Sequence, residues 1–462
     1  MQITLVHPTS ASVYTKFQRC EIKRLPIGLA YVAGFLEKNG YDVAAVDAEA
    51  LNLDLDATAV EAMKRSPSII GVTATTPIIH NAVQLLRKIK EISPCTYTML
   101  GGPHASALPE ETLLDNKGIV DFVVIGEGEY TAIDICRAVE LGRPFAQPIP
   151  GAWFLNEAGT LIKGPRRDRE KNLDVLAFPA RHLFPMERYV DATKHGNELY
   201  TLMVSSRGCP GKCTFCGSKS TWGRVVRFRS ADDVVHEMLE CAEKHNVTNI
   251  VFSDDTFTLQ RKHTIDICKK ILELPYVYKI YCSSRPNTIS VDRLVWLKKA
   301  GVYCITFGIE SGNDEILRKM KKQTTVNMIR EAVEMTKNAG VSVHGSFIIG
   351  NLGDTEETIE ETIQFAIDLN LDQVQFSILV PLPGTELFEV AKDMNAFRAE
   401  PKKYESFFWY YSVPANLTAL PDERLIELQE NAYKRWKTSK DSTSSHLSKQ
   451  LHERWKDFTT TD

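Results

Sequence analysis

The sequence has no excess of positive charge: 55 Lys and Arg against 59 Asp and Glu leave a formal net charge of −4 over 462 residues. A nucleic-acid partner recruited by a basic footprint is therefore not expected. No apolar stretch approaches the ~20 residues that a membrane-spanning helix needs. The opening MQITLVHPTS lacks the basic stretch and apolar run of a secretory signal. Cysteine is sparse, with ten in the chain, and a disulfide framework is not expected in a chain this long without such a signal. These absences predict a cytoplasmic, reducing location. Hydrophobic residues at 43% and charged residues at 25% are ordinary for a globular protein, and the length suggests two or three domains.

Along residues 1–145, short β-rich runs alternate with helical patterns, which predicts a parallel α/β domain. Strands are expected at ITLVH (3–7), DVAAVD (42–47), SIIGVT (68–73), TYTMLGG (96–102) and DFVVIGEGE (121–129). PIGLAYVAGFLEKNG (26–40) reads as a helix, with Pro26 near its start and Gly40 past its end. Each strand runs into Gly, Thr, Pro or Asp, so polar loops gather at the C-terminal sheet edge, where open α/β sheets bind ligands. Residues 146–195 read as a connector: a hairpin turning at Asn156–Gly159, then the charge run PRRDREKN, expected to be solvated.

A second alternation occupies 196–395, with strand candidates at 199–208, 249–257, 279–285, 303–312, 341–350 and 372–384 and helical patterns between them. Six βα units of this spacing predict a doubly wound sheet or a partial barrel, with function on the loops after the strands. Residues 396–462 form a last region. The aromatic group Tyr404, Phe407, Phe408, Trp409, Tyr410 and Tyr411 reads as core packing, with a pocket lining as the alternative, and a helix follows.

Three cysteines stand apart from the scattered seven, which read as free thiols, several of them buried. SSRGCPGKCTFCGS (205–218) places Cys209, Cys213 and Cys216 in a C-x3-C-x2-C array. Four thiolates would complete a zinc site or a fully liganded cluster, whereas three leave one metal corner open. The alternative is a zinc knuckle completed by a distant His195 or His236.

This array, after a strand and with Phe215 before its last cysteine, resembles the signature of radical S-adenosylmethionine (radical SAM) enzymes. The resemblance implies a partial (βα)6 barrel and a [4Fe-4S] cluster held by Cys209, Cys213 and Cys216. The cluster's open iron takes the amino and carboxylate groups of S-adenosylmethionine, which one electron cleaves to a 5′-deoxyadenosyl radical. It also implies cofactor contacts at Ser253, Asp254 and Asp255 (amino group), Arg285 (carboxylate, or else a rim salt bridge), Glu310 and Ser311 (polar atoms), and Ile348 and Gly350 (adenine). An electron donor such as flavodoxin or ferredoxin and a small-molecule substrate complete the set.

The N-terminal domain resembles the Rossmann-like (flavodoxin-like) cobalamin-binding domain of one branch of that family. LGGPHAS (100–106), with Gly101 and Gly102, matches the turn that lets backbone approach the cofactor's nucleotide loop. VTATT (72–76), with Thr73 and Thr75, matches a hydroxyl-bearing segment at the sheet edge. Cobalamin is thus an implied cofactor. The Asp-x-His-x-x-Gly motif of domains that place a histidine on cobalt is absent, and His7, His80 and His104 read as loop or helix-start residues. The resemblance implies cobalamin-dependent methylation of an unactivated carbon. Alternatives are a cyclase, dehydratase or rearrangement enzyme on the same scaffold, or a cluster- or corrinoid-binding sensor without turnover.

Overall fold

A computed structural model describes residues 1–10, 23–191, 198–398, 403–408, 410 and 412–441. The chain divides into two compact units, Met1–Tyr189 with Gly217–Gly223, and Val190–Cys216 with Arg224–Asp462.

The first unit is a seven-stranded sheet in the order β2-β1-β3-β4-β5-β6-β7, with β1 Gln2–His7, β2 Asp42–Asp47, β3 Ile69–Thr73, β4 Tyr97–Gly101, β5 Phe122–Val124, β6 Ala152–Leu155 and β7 Leu161–Lys163. The first five strands are parallel. Ile3, Leu5, Val6, Ile69 and Ile70 are all buried, as expected where helices cover both faces of a parallel sheet. The expected helix runs Ile27–Lys38 and ends before Gly40, whose φ of +87° continues no helix. The order 2-1-3-4-5 reverses direction between β1 and β3, which puts the ligand crevice of such a sheet at those two C-terminal ends.

The segment expected as a connector is tied into this unit. Its hairpin turns at Asn156, whose Oδ1 accepts from the Ala158 and Thr160 amides, and adds β6 and β7 antiparallel to the sheet. The charge run is exposed at Pro165, Arg166, Asp168, Lys171 and Asn172, as expected of a solvated segment, and departs from that reading at Arg167. Arg167 donates to Thr131 and the Pro150 carbonyl and pairs with Asp134, so it anchors the hairpin's exit. Tyr189, fully buried, returns to the far edge, where its hydroxyl donates to Asp47 at 2.7 Å.

The second unit is built on six strands in chain order: β8 Thr201–Met203, β9 Asn249–Phe252, β10 Lys279–Ser284, β11 Val302–Glu310, β12 Ser342–Ile349 and β13 Gln373–Ile378. All are parallel and joined by helices, the partial (βα)6 arrangement. Burial alternates along β10 and β12, with Ile280, Cys282, Val343 and Phe347 buried and Tyr281, Ser283, His344 and Ser346 half-buried on the other face. Among the described residues β13 is an edge strand. The helix Asp422–Asp441 covers it: Leu425, Leu428 and Ala432 join the core, Gln429 donates to the Phe376 carbonyl and Tyr433 accepts from the Phe376 amide. The amide and carbonyl of Phe376 on this edge are thereby satisfied.

Of the aromatic group, Tyr404 and Phe407 are buried and Phe407 stacks on Phe397 at 5.8 Å, while Trp409 and Tyr411 lie outside the described residues. Cys136, Cys241, Cys268, Cys282 and Cys304 are buried free thiols, Cys95 is exposed, and Cys20 is outside the described residues. Burial pushes the Cys136 and Cys268 thiols up to about 12, which keeps them protonated and inert.

Candidate cofactor sites in the two units

The cysteine loop begins where β8 ends, and a buried carboxylate sets its entry. Asp254 accepts from the Ser205 amide at 2.9 Å, the Ser205 hydroxyl at 2.7 Å and the Ser206 hydroxyl at 2.5 Å. Burial pushes this carboxyl above its ordinary range, and the three donors oppose that shift. Both oxygens of Asp254 are thus taken up by the loop's own entry. Its neighbours Ser253 and Asp255 are exposed, so the acidic pair divides into an anchor and a surface group.

Further along, the backbone is pinned from two sides: the Thr214 amide donates to the Met320 carbonyl and the Leu387 amide to the Thr214 carbonyl. Leu387 belongs to PLPGTEL, so that turn braces the loop. Phe215 and Ile348 pack on one apolar cluster with Leu379 and Leu387. Cys209 and Cys213 are half-buried and Cys216 is exposed. Among the described residues no three His, Cys, Asp or Glu side chains form a cage for a single metal ion. His236 brings no such cage, and His195 lies outside the described residues.

Arg285, buried at the end of β10, donates to Cys213 Sγ at 3.5 Å and also to the Lys322 carbonyl. Gly211 makes that approach possible, since a Cβ there would lie 2.7 Å from the guanidinium and 3.3 Å from Cys209 Sγ. No carboxylate pairs with Arg285 among the described residues, so the rim salt bridge is not the arrangement seen. A buried guanidinium without a counter-ion calls for an anion, and a thiolate-ligated cluster or a cofactor carboxylate supplies one.

Glu310, at the end of β11, has a φ of +70° and pairs with Lys322 at 2.6 Å, both side chains nearly fully buried. Lys322 also lies 5.9 Å from the Phe215 ring. Gly308 leaves room for the pair: a Cβ there would sit 2.5 Å from Glu310 Oε1 and 2.8 Å from Lys322 Nζ. Sequence reasoning missed both Gly308 and Lys322. Lys322 stands in RKMKK, where it looks like one more surface charge. Ser311 is buried in a turn, receiving the Asn313 amide at 3.1 Å and lying 3.1 Å from the Thr362 hydroxyl, so its hydroxyl serves the turn. After β12, Gly350 has a φ of +82°, and Asn351 spends its amide nitrogen on the Ile348 carbonyl and Asp354. The Asn351 Oδ1 is buried without a partner, an acceptor suited to the amino group of an adenine beside Ile348 and Gly350.

In the first unit, register sets Asp47 beside His7, Val6 beside Val72 on β3, and Thr73 beside Gly101 on β4. Thr75, in the following loop, is exposed. The steric demand on Gly102 comes from inside the fold. Its φ is +96°, and a Cβ would lie 2.6 Å from the Ala74 carbonyl and 2.7 Å from Thr73 Oγ1. Around it the Ala74 amide donates to the Gly101 carbonyl and the His104 amide to the Ala74 carbonyl. Gly101 would meet only Val124 at 3.6 Å, an ordinary contact. His104 is buried, lies 3.3 Å from the Thr76 hydroxyl, and is pushed down to about 4 by burial.

Comparison with known proteins finds a family model for each unit. The radical SAM superfamily model matches residues 203–366 and the B12 binding domain model residues 24–135. An uncharacterised methyltransferase of Pyrococcus horikoshii is 34% identical over 397 residues, covering 85% of this chain and 83% of the relative. The anaerobic magnesium-protoporphyrin IX monomethyl ester cyclase of Rubrivivax gelatinosus is 30% identical over 373 residues, 80% of this chain and 66% of the cyclase. The cobalamin-dependent S-adenosylmethionine radical enzyme OxsB shares the fold at a TM-score of 0.77 and 17% identity, over 99% of this chain and 70% of that one. The chain belongs to the radical SAM enzymes that carry an N-terminal B12-binding domain. Its cofactors are those of that family: a [4Fe-4S] cluster and S-adenosylmethionine for the barrel, and cobalamin for the N-terminal unit. No helix among the described residues is long and apolar enough to cross a membrane.

Proposed function

We propose that the protein methylates an unactivated carbon of a small-molecule substrate, using S-adenosylmethionine both as radical source and as methyl donor through cobalamin. The observation that carries this reading is one chain joining a three-thiol loop to a flavodoxin-like sheet of order 2-1-3-4-5. It is supported by the 34% identical relative named as a methyltransferase. When bound, the cluster supplies one electron to the sulfonium and cobalamin a methyl carrier. Cys209, Cys213 and Cys216 would hold three irons, and Arg285 would balance the charge of the thiolates or of the cofactor's carboxylate. Glu310 and Lys322 present a paired anion and cation for the cofactor's polar atoms, Asn351 Oδ1 accepts from its adenine, and Ser253 and Asp255 are placed for its ammonium. Thr73, Thr75 and Gly101 lie on the edge that would receive cobalamin. The reductant is a low-potential cytoplasmic donor of the flavodoxin or ferredoxin kind.

A second reading, ring closure without methyl transfer, is favoured by the 30% identity to the cyclase. Anaerobic protein reconstituted with iron, sulfide and cobalamin decides between them. Methylation consumes two S-adenosylmethionines per product, giving one 5′-deoxyadenosine and one S-adenosylhomocysteine. Product with 5′-deoxyadenosine alone supports the cyclase reading, and no 5′-deoxyadenosine under any condition refutes both.

A further inference from the structure

Three histidines lie at or near the C-terminal edge of the first unit's sheet, and their surroundings differ. His104 is buried beside Thr76. His80 is exposed on the helix Ile79–Ile92, 3.2 Å from the Gln84 amide. His7 ends β1, one of the two strands at the switch point. Its Nδ1 lies 3.0 Å from Asp47 Oδ1, with Asp47 1% and His7 23% exposed. An ionised carboxylate only accepts, so Nδ1 carries the proton of this hydrogen bond and Nε2 is the ring nitrogen that Asp47 does not engage. His7 makes no other hydrogen bond among the described residues.

Asp47 is held as firmly as the imidazole. Its Oδ1 also accepts the Ala50 amide at 3.1 Å and its Oδ2 the Tyr189 hydroxyl at 2.7 Å. Burial alone would raise this carboxyl, yet the donors from His7, Tyr189 and Ala50 hold it below its ordinary range. A histidine whose Nδ1–H is fixed by a buried carboxylate, with Nε2 available, is the arrangement that orients metal-binding imidazoles and raises their basicity. Its place at the end of β1, opposite Asp47 and one residue past the Val6–Val72 pair, sets it on the edge where this domain class takes its ligand.

We propose that His7 Nε2 is an axial ligand of cobalt in the corrinoid-loaded protein, with Asp47 and Tyr189 as its positioning groups. This goes beyond the reading of His7 as a loop or helix-start residue, and it does not depend on the Asp-x-His-x-x-Gly motif. The proposal rests on corrinoid binding by the first unit. Its test is the electron paramagnetic resonance spectrum of the holoprotein reduced to cob(II)alamin, prepared from cells fed histidine labelled with nitrogen-15 in the ring.

Ligation by His7 splits each high-field cobalt line into two in labelled protein and three in unlabelled protein. In His7→Gln the histidine splitting disappears while far-ultraviolet circular dichroism of the apoprotein is unchanged. Three-line splitting that persists in labelled protein assigns the ligand to the cofactor's own base and overturns the proposal. So does absence of nitrogen splitting, or a two-line pattern that survives in His7→Gln. A protein that binds no corrinoid at all refutes the cobalamin reading itself, a result visible in the absorption spectrum before any resonance measurement.

Discussion

Replacing Lys322 with Met removes one partner of a buried ion pair and leaves the other in place. In the wild type the side chains of Lys322 and Glu310 are 6% and 9% exposed and 2.6 Å apart. Solvent therefore screens the pair little, and the lost attraction is not returned by hydration of Glu310. Breaking such a pair costs about 3–5 kcal/mol, against at most ~1 kcal/mol for an exposed one. With an m-value near 3 kcal/mol per molar urea, the barrel's unfolding midpoint should fall by roughly 1–2 M.

A cycle with Glu310→Gln isolates the pair itself. The double variant carries no uncompensated charge, so it should be clearly more stable than Lys322→Met alone. Gly308→Ala reaches the same pair by another route, since its Cβ would press on both charged atoms at 2.5 and 2.8 Å. The assay is urea unfolding of the apoprotein under anaerobic conditions, followed by circular dichroism and tryptophan fluorescence. A cost below ~1 kcal/mol for Lys322→Met, or strict additivity in the cycle, would refute the burial argument.

Single Cys209→Ala, Cys213→Ala and Cys216→Ala variants should each lose bound iron and the broad visible absorbance while remaining folded, as read by iron content and circular dichroism. Gly102→Val should unfold the turn between Ala74 and His104, lowering the first unit's melting temperature and its corrinoid content together. Gly101→Ala, facing only an ordinary contact with Val124, should leave melting within a few degrees. His104 supplies a pH dependence. Its folded value of about 4 lies below the ordinary 6.5, so the unfolded chain takes up the proton first as pH falls. The first unit should lose about 3 kcal/mol between pH 7 and pH 4 from this group. His104→Phe should flatten that slope in urea titrations at the two pH values.

How much of this was legible in the chain varies with the range of the interaction concerned. The strands and helices of both units were readable because their cues are local: apolar runs of four to six residues, Pro26 before a helix, Gly40 after one. The thiol loop was readable because three ligands share one short stretch. The roles of Asp254 and Gly102 were not. Asp254 acts through Ser205 and Ser206, 49 and 48 positions away, and the demand on Gly102 comes from Thr73 at the end of β3 and Ala74 just past it. Arg167 looked like a solvated charge until Thr131 and Pro150 appeared beside it.

The family, the order of the two α/β units and the three-cysteine loop proposed to receive the cluster were all legible in the chain alone, because each is encoded by contiguous residues. Tertiary structure alone decided which charges are compensated. It paired Lys322 with Glu310, left Arg285 without a carboxylate, and set Asp47 and Tyr189 behind His7. The physical reason is that the cost of a charge or a lone pair depends on burial and on partners brought from distant positions. Neither quantity exists along the chain until the sheets have formed.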